Sequence, residues 1–216
     1  MLFDPNTGLF YLKDNIQLNF TKTAAHGEWI PVTSMPEQLV ELIPVEAIKK
    51  LQDSKNRIKL PIGVIGTNKP TEEQYQVAEQ IGTLLAELGL VVICGGRQGI
   101  MEAVCKGIEK GNGISIGLLP ELNLENANSF VTIPIATGVG FARNSIIAAS
   151  AFCLIAIGGS YGTLSEIAYG LQFGKKVFAI HCNLKVDNLK HCQTVDAVIE
   201  NIYKTIFNIA EENVAL

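Results

Sequence analysis

The residues with the most chemical promise sit in two glycine-rich strings. Gly95-Gly96-Arg97-Gln98-Gly99-Ile100-Met101 and Gly158-Gly159-Ser160-Tyr161-Gly162-Thr163-Leu164-Ser165-Glu166 each follow a short apolar run and lead into a helical pattern. Glycine after a strand lets the backbone come close to a ligand. A helix beginning there adds unpaired N–H groups and the positive end of its dipole, a combination that attracts phosphate. Either string alone could be a tight turn that merely needs glycine. Two of them on parallel strands point to one shared ligand bearing phosphate, and Gly66-Thr67 closes a third strand in the same way.

Arginine usage sharpens the expectation. The chain has only Arg57, Arg97 and Arg143. Arg97 lies inside the first glycine string, and Arg143-Asn144 lie near the start of an otherwise apolar helical run. A guanidinium grips phosphate through two parallel hydrogen bonds, where lysine acts as a point charge. Glu166 has two readings. Thr163-Leu164-Ser165-Glu166 fits a capping box, in which Thr163 caps the helix and Glu166 reaches back to its amide. It also places a carboxylate beside a phosphate loop, where it could bind a sugar hydroxyl or act as a general base. His181-Cys182 and His191-Cys192 bring four possible metal ligands into a short span. Their spacing is not that of a structural zinc site, so we expect a loop with incidental thiols and no metal. His26 has no partner visible in the sequence.

Several chemistries are disfavoured by what is missing. GxGxxG is absent, and no acidic residue follows the second strand to hold a ribose, which argues against NAD. GxxxxGK[ST] is absent, and nothing marks a pyridoxal-phosphate site.

The elements that must hold these loops follow from apolar periodicity. Two short strands, 9–12 and 16–20, flank Lys13-Asp14-Asn15 as a hairpin. A helix is expected over 36–50, then a polar linker over 53–57. From Ile58 onward, strands and helices alternate. Strands are expected at 62–65, 90–94, 114–119, 131–135, 152–157 and 177–180. Pro70 opens a helix capped by Thr71 and Gln74 and stopped by Gly89. Further helices are expected at 100–110, at 140–151, from the second glycine string to 173, and at 195–209. Continuous apolar strands alternating with helices make a mainly parallel sheet covered on both faces, an α/β, doubly wound, Rossmann-like architecture. We therefore expect a small extension over 1–57 and a ligand-binding domain over 58–216. In such sheets ligands sit at the C-terminal ends of the strands.

Bulk properties agree with a globular, cytoplasmic protein. Apolar residues make up 48% and charged residues 18%, and the net charge of −4 argues against a nucleic-acid partner. No apolar run reaches the length of a membrane span, and the first residues lack a secretory pattern. The five cysteines are odd in number and without CxxC, which suits reduced thiols.

Gly159-Ser160-Tyr161-Gly162-Thr163-Leu164-Ser165-Glu166, with Gly95-Gly96-Arg97-Gln98-Gly99-Ile100-Met101 and Arg143-Asn144, resembles the lonely-guy superfamily over about 58–180. That superfamily includes cytokinin-activating phosphoribohydrolases and molybdenum cofactor carrier proteins. The hydrolase branch has proline where this chain has Ile157 and lysine where it has Asn144, and at both positions the chain is more similar to the carrier branch. The carrier resemblance implies a binding protein for molybdenum cofactor, a phosphorylated pterin, held by Gly66, Thr67, Gly95, Gly96, Arg97, Gly99, Met101, Arg143, Asn144, Gly158, Gly159, Ser160, Tyr161, Gly162, Thr163 and Glu166. The hydrolase resemblance implies cleavage of nucleoside 5′-monophosphates, with Arg143 and Glu166 as the catalytic pair. A nucleotide-sensing module that uses residues 1–57 as its contact region is a third reading. The resemblance also implies a homodimer or homotetramer.

Overall fold

The computed structural model describes residues 1–13, 16–19 and 28–209. His26 and the tip of the expected hairpin lie outside the described residues. The chain forms two compact units, one of residues 1–58 with 199–216 and one of residues 59–198.

The first unit is built on an antiparallel sheet. Its strands are β1 (Leu2–Asp4), β2 (Leu9–Leu12), β3 (Ile16–Asn19), β4 (Glu28–Pro31) and β5 (Val40–Glu41), in the order β4-β3-β2-β1-β5. The hairpin expected from the sequence is β2 with β3. The helix expected over 36–50 is shorter and later, as α1 (Pro44–Gln52), because 40–41 are drawn into β5. Pro44 occupies the first helical turn, where its missing N–H costs nothing, and Glu46 accepts the Ile43 N–H at 3.1 Å. Phe10 sits against Phe207 with ring centroids 5.2 Å apart, and Trp29 Nε1 donates to the Phe207 carbonyl at 2.6 Å. The end of α6 (Val195–Ile206) and the residues after it thus complete this core. That helix stops short of the expected 209, since Asn208 adopts a left-handed φ of 49°.

The second unit carries β6 (Ile62–Gly66), α2 (Glu72–Glu87), β7 (Val92–Cys94), α3 (Ile100–Lys110), β8 (Ser115–Leu119), β9 (Ile133–Ala136), α4 (Arg143–Ser150), β10 (Leu154–Ile157), α5 (Tyr161–Gln172), β11 (Val177–Ile180) and β12 (Lys190–His191). The expected helix over 140–151 divides into a 3₁₀ turn, Gly140–Ala142, and α4. Thr71 caps α2 as the sequence predicts: its hydroxyl accepts the Gln74 N–H at 3.2 Å while the Gln74 side chain accepts the Thr71 N–H at 3.0 Å.

The seven strands run parallel in the order β12-β11-β10-β6-β7-β8-β9. Alternate residues face opposite sides, as strand geometry requires. Ile65, Ile93, Leu118, Leu154, Ala156, Val177 and Ala179 pack with Ile147, Ala148 and Ile167 of α4 and α5. The chain travels outward from β6 to β9, then returns to β10 on the other side of β6. The order therefore reverses between β6 and β10, and a crevice opens at their C-terminal ends. Among the described residues no helix is long and apolar enough to cross a membrane.

Candidate functional site

β6 ends at Gly66 and β10 at Ile157, which are register partners at the point where the strand order reverses. A cavity of about 260 Å³ opens there. It is lined by Ile65, Gly66 and Asn68 from the first loop, and by Gly95, Arg97, Gln98 and Met101 from the second. Phe141, Arg143 and Asn144 line it from the start of α4, and Ser160, Gly162, Thr163 and Glu166 from the start of α5.

The capping box read from Thr163 and Glu166 does not form. α5 begins earlier, with Ser160 as its N-cap residue, so both side chains lie within the helix. Glu166 turns instead to Arg143, with Nη1 to Oε1 at 3.2 Å, and both side chains are buried. Burial pushes the Glu166 carboxyl up to about 7, although the adjacent Arg143 charge pulls it down. Burial likewise lowers the Arg143 guanidinium, against the pull of Glu166. Desolvation thus outweighs attraction on both sides of the pair, a balance expected when two ions leave water together.

Two donors at this end lack partners. Arg143 Nε and Thr163 Oγ1 are buried without a hydrogen bond, and Thr163 lies in the first turn of α5. The amides of a first helical turn also have no intrahelical acceptor, so unanswered donors gather at this end of α5, beside the cavity. Asn144 steadies the turn. Its Nδ2 donates to Ser165 Oγ at 2.8 Å, and that hydroxyl donates to the Gly162 carbonyl at 2.7 Å. Gly162 itself leaves open space: a Cβ there would meet nothing nearer than Ser160 Oγ at 3.9 Å.

The Gly95 loop is held from below. The Asn128 side chain donates to the carbonyls of Gly96 and Arg97, each at 3.1 Å, and its backbone N–H donates to Gly96 at 2.9 Å. Arg97 Nη1 stands 3.8 Å from Glu121 Oε1. Gly95 is needed for packing, since a Cβ there would fall 2.4 Å from Arg143 Nη2 and 2.5 Å from Met101 Sδ. Gly99 has φ of +77°, and a Cβ would fall 2.6 Å from both Asn68 Cα and the Thr67 carbonyl oxygen. The Thr67 carbonyl is held in place, because the Ile100 N–H is bonded to it at 3.1 Å. Gly99→Ala is expected to lower the unfolding free energy by about 2–3 kcal/mol, through left-handed strain plus the clash. Urea denaturation checks it; a midpoint like that of the native protein would show that the loop can move aside.

Of the residues singled out in the sequence, Gly66, Gly95, Arg97, Met101, Arg143, Asn144, Ser160, Gly162, Thr163 and Glu166 meet at this cavity. Thr67, Gly96, Gly99, Gly158 and Gly159 belong to the surrounding loops, and Tyr161 is 92% exposed. Asn68, Gln98 and Phe141 join the lining without having been singled out as site residues, as does Ile65. Asn68 and Gln98 could have been suspected as polar members of the same loops. Asn128 gave no signal, since nothing local links it to a loop some thirty residues earlier. His181, Cys182, His191 and Cys192 come together at a second cavity of about 650 Å³, beyond β11 and β12. Among the described residues no group of three or more His, Cys, Asp or Glu is arranged to hold a metal ion.

The SLOG cluster4 family matches residues 59–207. An uncharacterized protein of Archaeoglobus fulgidus is 40% identical over 140 residues, 65% of this chain and 92% of that protein. The molybdenum cofactor binding protein of the phototrophic bacterium Rippkaea orientalis is 34% identical, with a TM-score of 0.66 over 69% of this chain and 99% of its own. The molybdenum cofactor carrier protein of Chlamydomonas reinhardtii is 27% identical, with a TM-score of 0.61 over 68% of this chain and 98% of its own. The parallel sheet, the reversal at β6 and β10 and these matches agree: the chain belongs to the SLOG cluster4 family, with a Rossmann-like fold shared with molybdenum cofactor carrier proteins.

Proposed function

We propose that this chain is a molybdenum cofactor binding and carrier protein, and that the cavity between the ends of β6 and β10 takes the phosphorylated pterin as cargo. The observation that carries the reading is the set of unanswered donors. Arg143 Nε and Thr163 Oγ1 are buried without partners beside the first turn of α5, and Gly162 leaves room next to them. A phosphate supplies acceptors for such donors, and the low-dielectric wall strengthens each bond. The residues therefore fit an anionic ligand. Ser160, Gly162, Thr163 and Arg143 would hold its phosphate, while Gly95, Arg97 and Met101 would face the rest. The similarity to cofactor-binding proteins of Rippkaea orientalis and Chlamydomonas reinhardtii supports the choice of cargo.

A second reading is favoured by one feature, the Glu166 carboxyl at about 7. A base poised near neutrality suits general acid–base catalysis, as in water-driven release of adenine and ribose 5-phosphate from AMP. One experiment separates the two. The protein is purified without added ligand, bound small molecules are identified by mass spectrometry, and a portion is incubated with AMP. We expect a phosphorylated pterin and no adenine. Steady adenine release that disappears in Glu166→Ala would replace the carrier reading with the hydrolase reading.

The carrier reading also favours a homo-oligomer. Exposed Phe141, Tyr161, Tyr169 and Phe173, at the start of α4 and along α5, supply apolar surface for self-association.

A further inference from the structure

Beneath the first glycine loop lie two cysteines that the binding reading does not use. Cys94 ends β7, immediately before Gly95, and Cys105 lies in α3. Their sulfur atoms are 3.7 Å apart, and both side chains are fully buried. Cys94 Sγ also accepts the Gly96 N–H at 3.3 Å. One thiol therefore touches both its neighbour and the backbone of a loop whose Gly95, Arg97 and Gln98 line the cavity. The two thiols differ in character. The hydrogen bond from Cys94 holds Cys105 below the usual thiol range, helped by Ser115 and Asn128 against the effect of burial. That same bond, together with burial, holds Cys94 well above it. Cys153, by contrast, is simply buried and pushed up to about 12.

We propose that Cys94 and Cys105 are an oxidisable dithiol, converted to a disulfide by hydrogen peroxide, and that oxidation frees the first glycine loop. Cys105, as thiolate, attacks one peroxide oxygen. An S–O bond forms, the O–O bond breaks, and the departing hydroxide takes a proton to become water. Cys94 then attacks the sulfur of the resulting sulfenic acid. The S–S bond forms, the S–O bond breaks, and the hydroxide leaves with the Cys94 proton as a second water. In sum, two thiols lose two electrons and two protons to one peroxide, giving one disulfide and two waters. Peroxide is the co-reactant proposed because it is a small, neutral two-electron oxidant, and it meets these buried sulfurs during local opening of the loop.

The coupling to the loop is geometric. A disulfide brings its sulfurs to about 2.0 Å, so the present 3.7 Å must close by more than 1.5 Å. Cys94 and Cys105 both sit in regular elements, β7 and α3, so the gap closes by rotation of their side chains, and a turn of Cys94 toward Cys105 takes its sulfur away from the Gly96 N–H. That amide loses its acceptor, and the wall formed by Gly95, Arg97 and Gln98 loosens with it.

The test uses the full chain. Protein reduced and desalted is treated with hydrogen peroxide, unfolded in alkylating reagent, digested and mapped by mass spectrometry. A parallel sample is followed by amide hydrogen exchange. We expect a Cys94–Cys105 cross-link with the other three cysteines alkylated, and exchange at the Gly96 amide faster by about tenfold or more. Dithiothreitol should reverse both, Cys94→Ala should abolish both, and Cys182→Ala should leave both intact. Five alkylated thiols after peroxide, or a link through Cys153, Cys182 or Cys192, would overturn the dithiol. A Cys94–Cys105 link with unchanged Gly96 exchange would overturn the release of the loop. Both readouts come from the native sequence, so the outcome stands even if Cys94→Ala fails to fold.

Discussion

Arg143→Ala is expected to lower the unfolding free energy by about 3–5 kcal/mol near pH 8, because it leaves the Glu166 carboxylate buried without its counter-charge. The size of the effect comes from burial rather than from the bond itself. Glu166 is already held at about 7 with Arg143 beside it, so the site barely tolerates the carboxylate even when paired. Removing the guanidinium drives the group further toward its protonated form. The sign of the pH dependence follows. The Glu166 pKa rises from 4.5 unfolded to about 7 folded, so the folded state binds the proton more tightly. Its contribution is fully present below 4.5 and is lost as pH rises through about 7. At about 1.4 kcal/mol per pH unit, that window removes roughly 3 kcal/mol from the native protein. In Arg143→Ala the decline should extend to higher pH, and the damage should be smaller near pH 5 than near pH 8. Glu166→Gln should lack this component altogether. Denaturant titrations of the three proteins at several pH values check the argument. An undiminished slope in Glu166→Gln would assign the dependence to another group.

The second large effect is on binding. Gly162→Leu should weaken binding of the phosphorylated pterin about a hundredfold or more, roughly 3 kcal/mol, and leave the fold intact. Gly162 lies in the first turn of α5, its φ is not left-handed, and an added Cβ meets no backbone. Helix propensity even favours the substitution by up to about 1 kcal/mol. The leucine side chain instead fills the space beside Thr163 and Arg143 that the phosphate is proposed to take. Isothermal titration with the pterin, and with AMP as a simpler phosphate-bearing probe, gives the affinity, and thermal denaturation gives the stability. Native affinity in a stable Gly162→Leu protein would move the ligand to another part of the surface.

Together the two substitutions separate roles that one residue alone would confuse. Arg143 pairs with Glu166 in the fold and, on the carrier reading, also holds the ligand, so its loss is expected in stability and in binding. Gly162 contributes nothing to packing, so its effect is read in binding alone. Gly99 is the opposite case, a residue outside the lining of the cavity between β6 and β10 that joins the loop after β6 to the start of α3.

Much of the molecule was legible from residue order because the relevant physics is local. Apolar runs such as 152–157 and 177–180 read as strands buried on both faces, being too short for helices between turn residues, and their alternation with helices makes the sheet parallel. Thr71 and Gln74 cap α2 through bonds that span three residues, so their types and spacing sufficed. The glycine strings announced loops at strand ends for the same reason. Where local signals competed, the reading failed. Val40 and Glu41 fit a helical pattern but pair with β1, a partner some forty residues away. Thr163 and Glu166 have capping-box spacing, yet α5 begins at Tyr161 and Arg143 claims the carboxylate. The choice between those partners is a difference in burial, which the order of residues does not contain. The same holds for Asn128 under the Gly95 loop, for Phe207 against Phe10, and for the contact of Cys94 with Cys105. By itself, then, the sequence determined the alternating strands and helices between 62 and 180 and the glycine loops at the strand ends, since those follow from periodicity and backbone freedom, while the short strands β1, β4, β5 and β12 were not legible in it. Only the tertiary structure decided which charges pair and which donors stay unanswered, because both depend on groups far apart in the chain being desolvated together.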